Sequence, residues 1–277
     1  MKSINIYITE KLKIAKHKKT EHTLFPTTHK ELLDMIKEET NKNGYNCSLN
    51  HIDTSQITSM DSLFYFSKFN GDISEWDVSN VTNMSRIFNG SSFTGDISNW
   101  DVSNVTDMSW MFANTEFNND ISEWDTSSVI KMNGMFMHNP EFNQDINDWN
   151  VSNVKTMEEM FYKTIFNKPL NKWRPEKLEY TNSMFKYSKF NQDINDWNPI
   201  KLIETNSMFA FSSFNQPLDK WDVSGIKYMY GMFMHNKNFN QDISNWKLRP
   251  NILKHINAID MFLNCNIKKE FMPKGTK

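Results

Sequence analysis

The sequence predicts an α/β repeat fold, a solenoid whose turns each combine short extended pieces with one short helical piece. Three observations lead there. First, Trp76, Trp100, Trp124, Trp149, Trp173, Trp197, Trp221 and Trp246 recur at spacings of 24, 24, 25, 24, 24, 24 and 25 residues. A fixed period in the twenties marks a unit that buries its apolar face only by stacking on copies of itself. Second, counting each Trp as position 1, apolar residues return at positions 1, 3, 6, 9, 12, 13, 18 and 22, as in Trp76, Val78, Val81, Met84, Ile87, Phe88, Phe93 and Ile97. Third, neither a two-residue nor a 3.6-residue period runs through the unit, so each turn must mix conformations.

Taken in order, residues 1–50 form an N-terminal strand/helix cap or attachment segment. Ile4, Ile6 and Ile8 alternate as in a short strand, and residues 11–20 are a lysine-rich connection. Thr28 opens T-H-K-E, a capping box with Glu31, and Leu32, Leu33, Met35 and Ile36 give the following residues an apolar side. A helix over about 29–40 is expected, ending before Asn43-Gly44 and covering the first turn of the stack. The solenoid of about nine units spans 51–262, beginning with a degenerate unit at Ile52. Within each unit the expected order is a short strand around Asn-Val-Thr-Asn-Met, a helical turn around Met-Phe, and a second extended piece around Asp-Ile-Ser-x-Trp. The core is carried by the eight tryptophans and by Phe88, Phe112, Phe136, Phe161, Phe185, Phe209 and Phe233 at position 13.

Two units hold one extra residue, in MFMHNPEFNQD (135–145) and MFMHNKNFNQD (232–242). Length variation suggests a surface loop, in which Asn139→Ala is expected to change stability little. Pro175 and Pro199 both fall at position 3, which suits a corner better than a central strand. After Trp246 the pattern slips, so 247–262 reads as an atypical last unit and 263–277 as a basic C-terminal tail.

Asparagines such as Asn70, Asn118 and Asn143, and aspartates such as Asp72, Asp96 and Asp120, recur two residues apart. Their side chains are expected to satisfy backbone N–H groups at a corner. A row of calcium sites is the competing reading, but the glycine-rich multi-carboxylate loop is missing and Pro169 and Pro217 replace the aspartate in two units.

Charge is regional: residues 1–50 carry nine Lys against six acids, 51–246 carry 15 basic against 25 acidic residues, and 247–277 carry seven against two. An acidic repeat body is a poor nucleic-acid binder, since affinity for phosphate grows with the cations presented. Cys47 and Cys265 lie beyond opposite ends of the repeats, so no bridge is expected. The opening residues lack a signal-peptide pattern and no stretch is long enough to span a bilayer, which points to a product retained without Sec export. The seven histidines are scattered, and only His138 and His235 recur at equivalent places, too far apart to share a metal. No phosphate loop or nucleophile elbow occurs. The expectation is no enzyme activity, no cofactor and no metal.

Binding must then come from positions that vary. Position 8 reads Ser59, Asn83, Asp107, Lys131, Thr156, Tyr180, Glu204, Tyr228, and neighbouring positions add Trp110 and Tyr230. Aromatics on a polar, varying strip suit an interface. The alternative is a solvated face whose residues have drifted. The candidate binding residues are Trp110, Tyr180, Glu204, Tyr228 and Tyr230.

The string WDVSNVTNMSxMF with FNxDIS resembles the tryptophan-containing, BspA-type leucine-rich-repeat surface proteins and the same repeat in mycoplasma lipoproteins of unknown function. It covers about residues 52–262. The resemblance implies a right-handed leucine-rich-repeat-like solenoid with an adhesion or protein-binding role at the cell surface. The chain departs from the surface members in showing no signal peptide, lipid-attachment cysteine or cell-wall sorting tail. The opening INIYITEKLKIAKH resembles the first residues of some tailed-phage proteins. Two functions follow: a non-catalytic scaffold binding a protein or surface glycan, or a virion-associated spacer attached through its terminal segments.

Overall fold

The computed structural model describes residues 20–249 and 260–276. The expected strand at Ile4–Ile8, nearly all of the lysine-rich connection and part of the atypical last unit lie outside these residues. Helix α1, His29–Asn43, forms where the capping box predicts: Thr28 accepts from the Glu31 amide, and the Glu31 carboxylate accepts from the Thr28 amide. Gly44 ends the helix at φ 82°, a conformation glycine adopts without strain. Leu32 and Ile36 are buried and join one continuous core with Leu49 and Ile52 of the first turn, so α1 covers that end of the stack.

The repeats do stack, but not as an α/β solenoid with strands and helical turns. Among the described residues no strand exceeds a single bridging residue, and α1 is the one α-helix. Each unit contributes one parallel bridge, at position 8, in the series Ser59, Asn83, Asp107, Lys131, Thr156, Tyr180, Glu204, Tyr228. Beyond the bridge the chain runs as linked β-turns. In the unit of Trp76 the amides of Met84, Arg86, Phe88 and Gly90 donate to the next unit, at Asp107, Ser109, Met111 and Ala113. The intervening amides of Ile87, Asn89 and Ser91 donate within the unit, to Met84, Arg86 and Phe88. This alternation needs positive φ at positions 11 and 15, found at Arg86 and Gly90, Trp110 and Asn114, Glu159 and Lys163, and Ser183 and Tyr187. A residue with φ > 0 in the third place of an i→i+3 turn is the type II arrangement, which replaces the expected helical turn. The second expected extended piece is likewise a turn, closed by Trp100 N–H to Ile97 O and its counterparts.

Side chains complete the stack. The position 13 phenylalanines form a column with centroids 5.5–5.8 Å apart, from Phe64 to Phe262. Each repeat indole N–H reaches a carbonyl of the neighbouring coil, as Trp100 does to Ile73 and Trp173 to Ile146. A buried indole therefore keeps its hydrogen bond. Where the backbone ladder is absent, asparagines take over: Asn143 Oδ1 accepts from the amide of Asn167, Asn167 from Asn191, Asn191 from Asn215 and Asn215 from Asn240. The aspartates two residues on act locally, Asp120 accepting from Ser122 N–H and Asp242 from Ser244 N–H. The expected polar rows thus divide into one that joins coils and one that shapes each corner.

One further expectation changes. Asn139 and Asn236, in the units with an extra residue, are fully buried. Asn139 donates to Phe117 O and accepts from the amides of Glu141 and Phe142, so the longer loop is folded around its amide. The C-terminal residues also pack as a last coil: Phe233 N–H and His235 N–H donate to Met261 and Leu263, Asn240 accepts from Lys268 N–H, and Ile267 is buried.

Candidate binding face

The bridge at position 8 fixes a straight row, and the side chains of positions 8, 10 and 11 line a groove beside it. Asp107, Trp110, Lys131, Asn133, Glu158 and Tyr180 lie along this groove, with Glu204 at its end. Tyr180, Glu204 and Tyr228 bridge directly from coil to coil, as their spacing predicts. Tyr228 and Tyr230 are 50% and 40% exposed, and Tyr180, Glu204 and Trp110 are partly buried.

The polar groups here are joined to one another. Lys131 Nζ lies 3.1 Å from Asp107 Oδ2, and the Asn182 amide nitrogen donates to both Glu158 Oε1 at 2.6 Å and Glu204 Oε2 at 3.0 Å. Asn182 in turn accepts from Asn206 N–H, and Asn206 from Tyr230 N–H. Glu204 is therefore held in place by an asparagine rather than left as a free charge. Trp110 is no open stacking platform: the Arg86 guanidinium lies 4.5 Å from its ring centroid, and a Cβ added to Gly134 would come within 2.4 Å of its Cδ1 and Nε1. The ring is sandwiched, so it offers an edge to a partner. Beside it the Ser109 hydroxyl is buried without a hydrogen-bond partner.

A second row went unread in the sequence. Positions 14 and 15 place His138, Tyr162, Tyr187, Phe211 and His235 on successive coils, with centroid separations of 5.2, 5.7, 4.7 and 4.5 Å. Tyr187 and Phe211 are 41% and 37% exposed. Burial and then the Lys163 charge push the His138 pKa down, and burial, followed by Tyr187 and Glu159, pushes the Tyr162 hydroxyl up. Position 15 varies as freely as position 8 does, and that variation was the available signal.

Among the described residues no group of three or more His, Cys, Asp or Glu side chains is placed to hold a metal ion, and no helix is long and apolar enough to cross a membrane. Cys47 and Cys265 are free thiols.

The family model described as Mycoplasma protein of unknown function, DUF285, matches residues 30–116, 89–189, 114–213 and 165–272, which together span most of the chain. The chain belongs to this family. The overlapping matches follow the repeat. No curated protein and no solved structure matches the chain.

Proposed function

We propose that this DUF285 protein is a non-catalytic binding protein that presents the face of positions 8, 10 and 11 to another protein or a surface glycan. One observation carries the reading: the buried positions repeat with little change, whereas position 8 differs from each coil to the next while its backbone stays aligned. A regular scaffold with an irregular face is the arrangement by which repeat proteins build extended binding surfaces. Tyr228 and Tyr230 supply exposed rings two coils along the row from Tyr180, and tyrosine is a residue type in which truncation at interfaces tends to cost most. Kinship with the BspA-type surface proteins, and display at a cell surface, belong to the same proposal.

The test compares capture of surface proteins and immobilised glycans by the wild-type chain and by a Tyr180→Ser, Tyr228→Ser, Tyr230→Ser variant with an unchanged unfolding midpoint. The expected outcome is a ligand retained by the wild type and lost by the variant. Equal retention by both would exclude this face.

A further inference from the structure

We propose that the row Tyr162, Tyr187, Phe211 and His235, with Lys163 and Lys186, is a binding track for a linear acidic polysaccharide. It is separate from the face of Tyr180 and Tyr228 and stands without it. The rings of Tyr187, Phe211 and His235 stack on one another, with interplanar angles of 21° and 8°, so their faces are mutually covered and their edges are left to solvent. Aromatic edges carry the positive part of the ring quadrupole. The ammonium groups of Lys163 and Lys186 add full charges, 5.7 and 5.6 Å from the Tyr187 centroid. Among the described residues neither lysine forms an ion pair, which they share with most lysines of the repeats; what sets them apart is that both lie against the same ring, that of Tyr187. Glu159 stands near Tyr162, so the row sets two cations against one acid, and on a repeat body with an excess of acids this net positive patch fits an anion.

The backbone narrows the class. Lys163, Tyr187, Phe211 and His235 all donate their amides to the next coil, at Lys186, Ala210, Met234 and Leu263. Those amides are not free to add a peptide as an extra strand. Nucleobases need free ring faces, and the inner faces here are taken. A polysaccharide requires neither, because its repeating carboxylates can follow a track that offers one side chain per coil. The four position 15 residues also hold φ of 55–60°, a conformation costly for side chains larger than glycine. Gly90 at the same position shows that glycine fits there. The fold imposes this conformation at positions 11 and 15 of successive coils, so it fixes the direction of the track without itself pointing to a ligand.

The experiment is affinity electrophoresis of the full chain in gels containing polygalacturonate, neutral dextran or poly-glutamate. Wild type is expected to be retarded by polygalacturonate alone, with affinity lowered about tenfold or more in both Lys163→Gln, Lys186→Gln and Tyr187→Ser, Phe211→Ser. Tyr228→Ser, Tyr230→Ser should bind polygalacturonate as wild type does, which separates this track from the other face. Should the ring variant fail to fold, the lysine variant decides alone. The proposal is overturned if polygalacturonate does not retard the wild type, if the lysine variant binds equally, or if poly-glutamate binds with the same dependence, which would indicate an acidic peptide.

Discussion

Asn139 and Asn236 show how one side chain can decide a local fold. Both stand at position 16, where other units place a serine or threonine that bonds back to the phenylalanine carbonyl, as Thr115 does to Phe112 and Ser188 to Phe185. The longer asparagine reaches the preceding coil instead, Asn236 donating to Phe214 O, and its carbonyl accepts two amides of the enlarged loop, at Asn238 and Phe239. An extra residue is accommodated because its new backbone donors find a buried acceptor. Asn139→Ala leaves the Glu141 and Phe142 amides and Phe117 O without that partner. The expected cost is about 2–4 kcal/mol, at roughly one kcal/mol or more for each lost bond. Urea unfolding measures it, and an unchanged midpoint would mean that the loop is solvated. Length variation suggested a tolerant loop, yet both insertions share the pair His-Asn, a local mark of the buried amide.

At the scale of elements, α1 was legible because its signal is local: Thr28, Glu31 and the apolar side lie within nine residues of one another. The coils were not, because their turns need positive φ where the sequence places Arg86, Trp110, Glu159 and Phe211 instead of glycine. A long-range hydrogen-bond pattern holds these residues in a conformation that their types do not announce. The helix cap can be tested directly. Hydrogen bonds from the Thr27 backbone, the Thr27 hydroxyl and Thr28 hold the Glu31 carboxyl below its usual pKa. A carboxylate with a depressed folded pKa contributes stability that is present above its unfolded value and lost as pH falls through the folded one. Thr28→Ala should lower stability by about 1 kcal/mol near neutral pH. Glu31→Gln should also be less stable than wild type near neutral pH, and that gap should close as pH falls through the folded pKa, because only wild type has a carboxylate to lose. Unfolding midpoints at a series of pH values would show a gap independent of pH if Glu31 takes no part.

Across the whole molecule, the period of the sequence is also the period of the contacts. Phe112 stacks between Phe88 and Phe136, and Trp124 bonds to the carbonyl of Ile97. Removing Trp100–Glu123, one unit of 24 residues, would set Phe136 over Phe88 and bring Trp124 to Ile73, in the places that Phe112 and Trp100 now hold. Each coil touches its neighbours, so the shortened stack should fold, with lower stability and a smaller urea m-value for the surface it no longer buries. Removing only Trp100–Met111 joins Asn99 to Phe112, so the span between Trp76 and Trp124 no longer makes up whole units. No placement then satisfies both the phenylalanine column and the indole hydrogen bonds. That chain should be insoluble or unfold without cooperativity. Far-UV spectra and urea curves of the two deletions distinguish these outcomes, and two equally soluble, equally cooperative proteins would contradict the dependence of each coil on a whole neighbour.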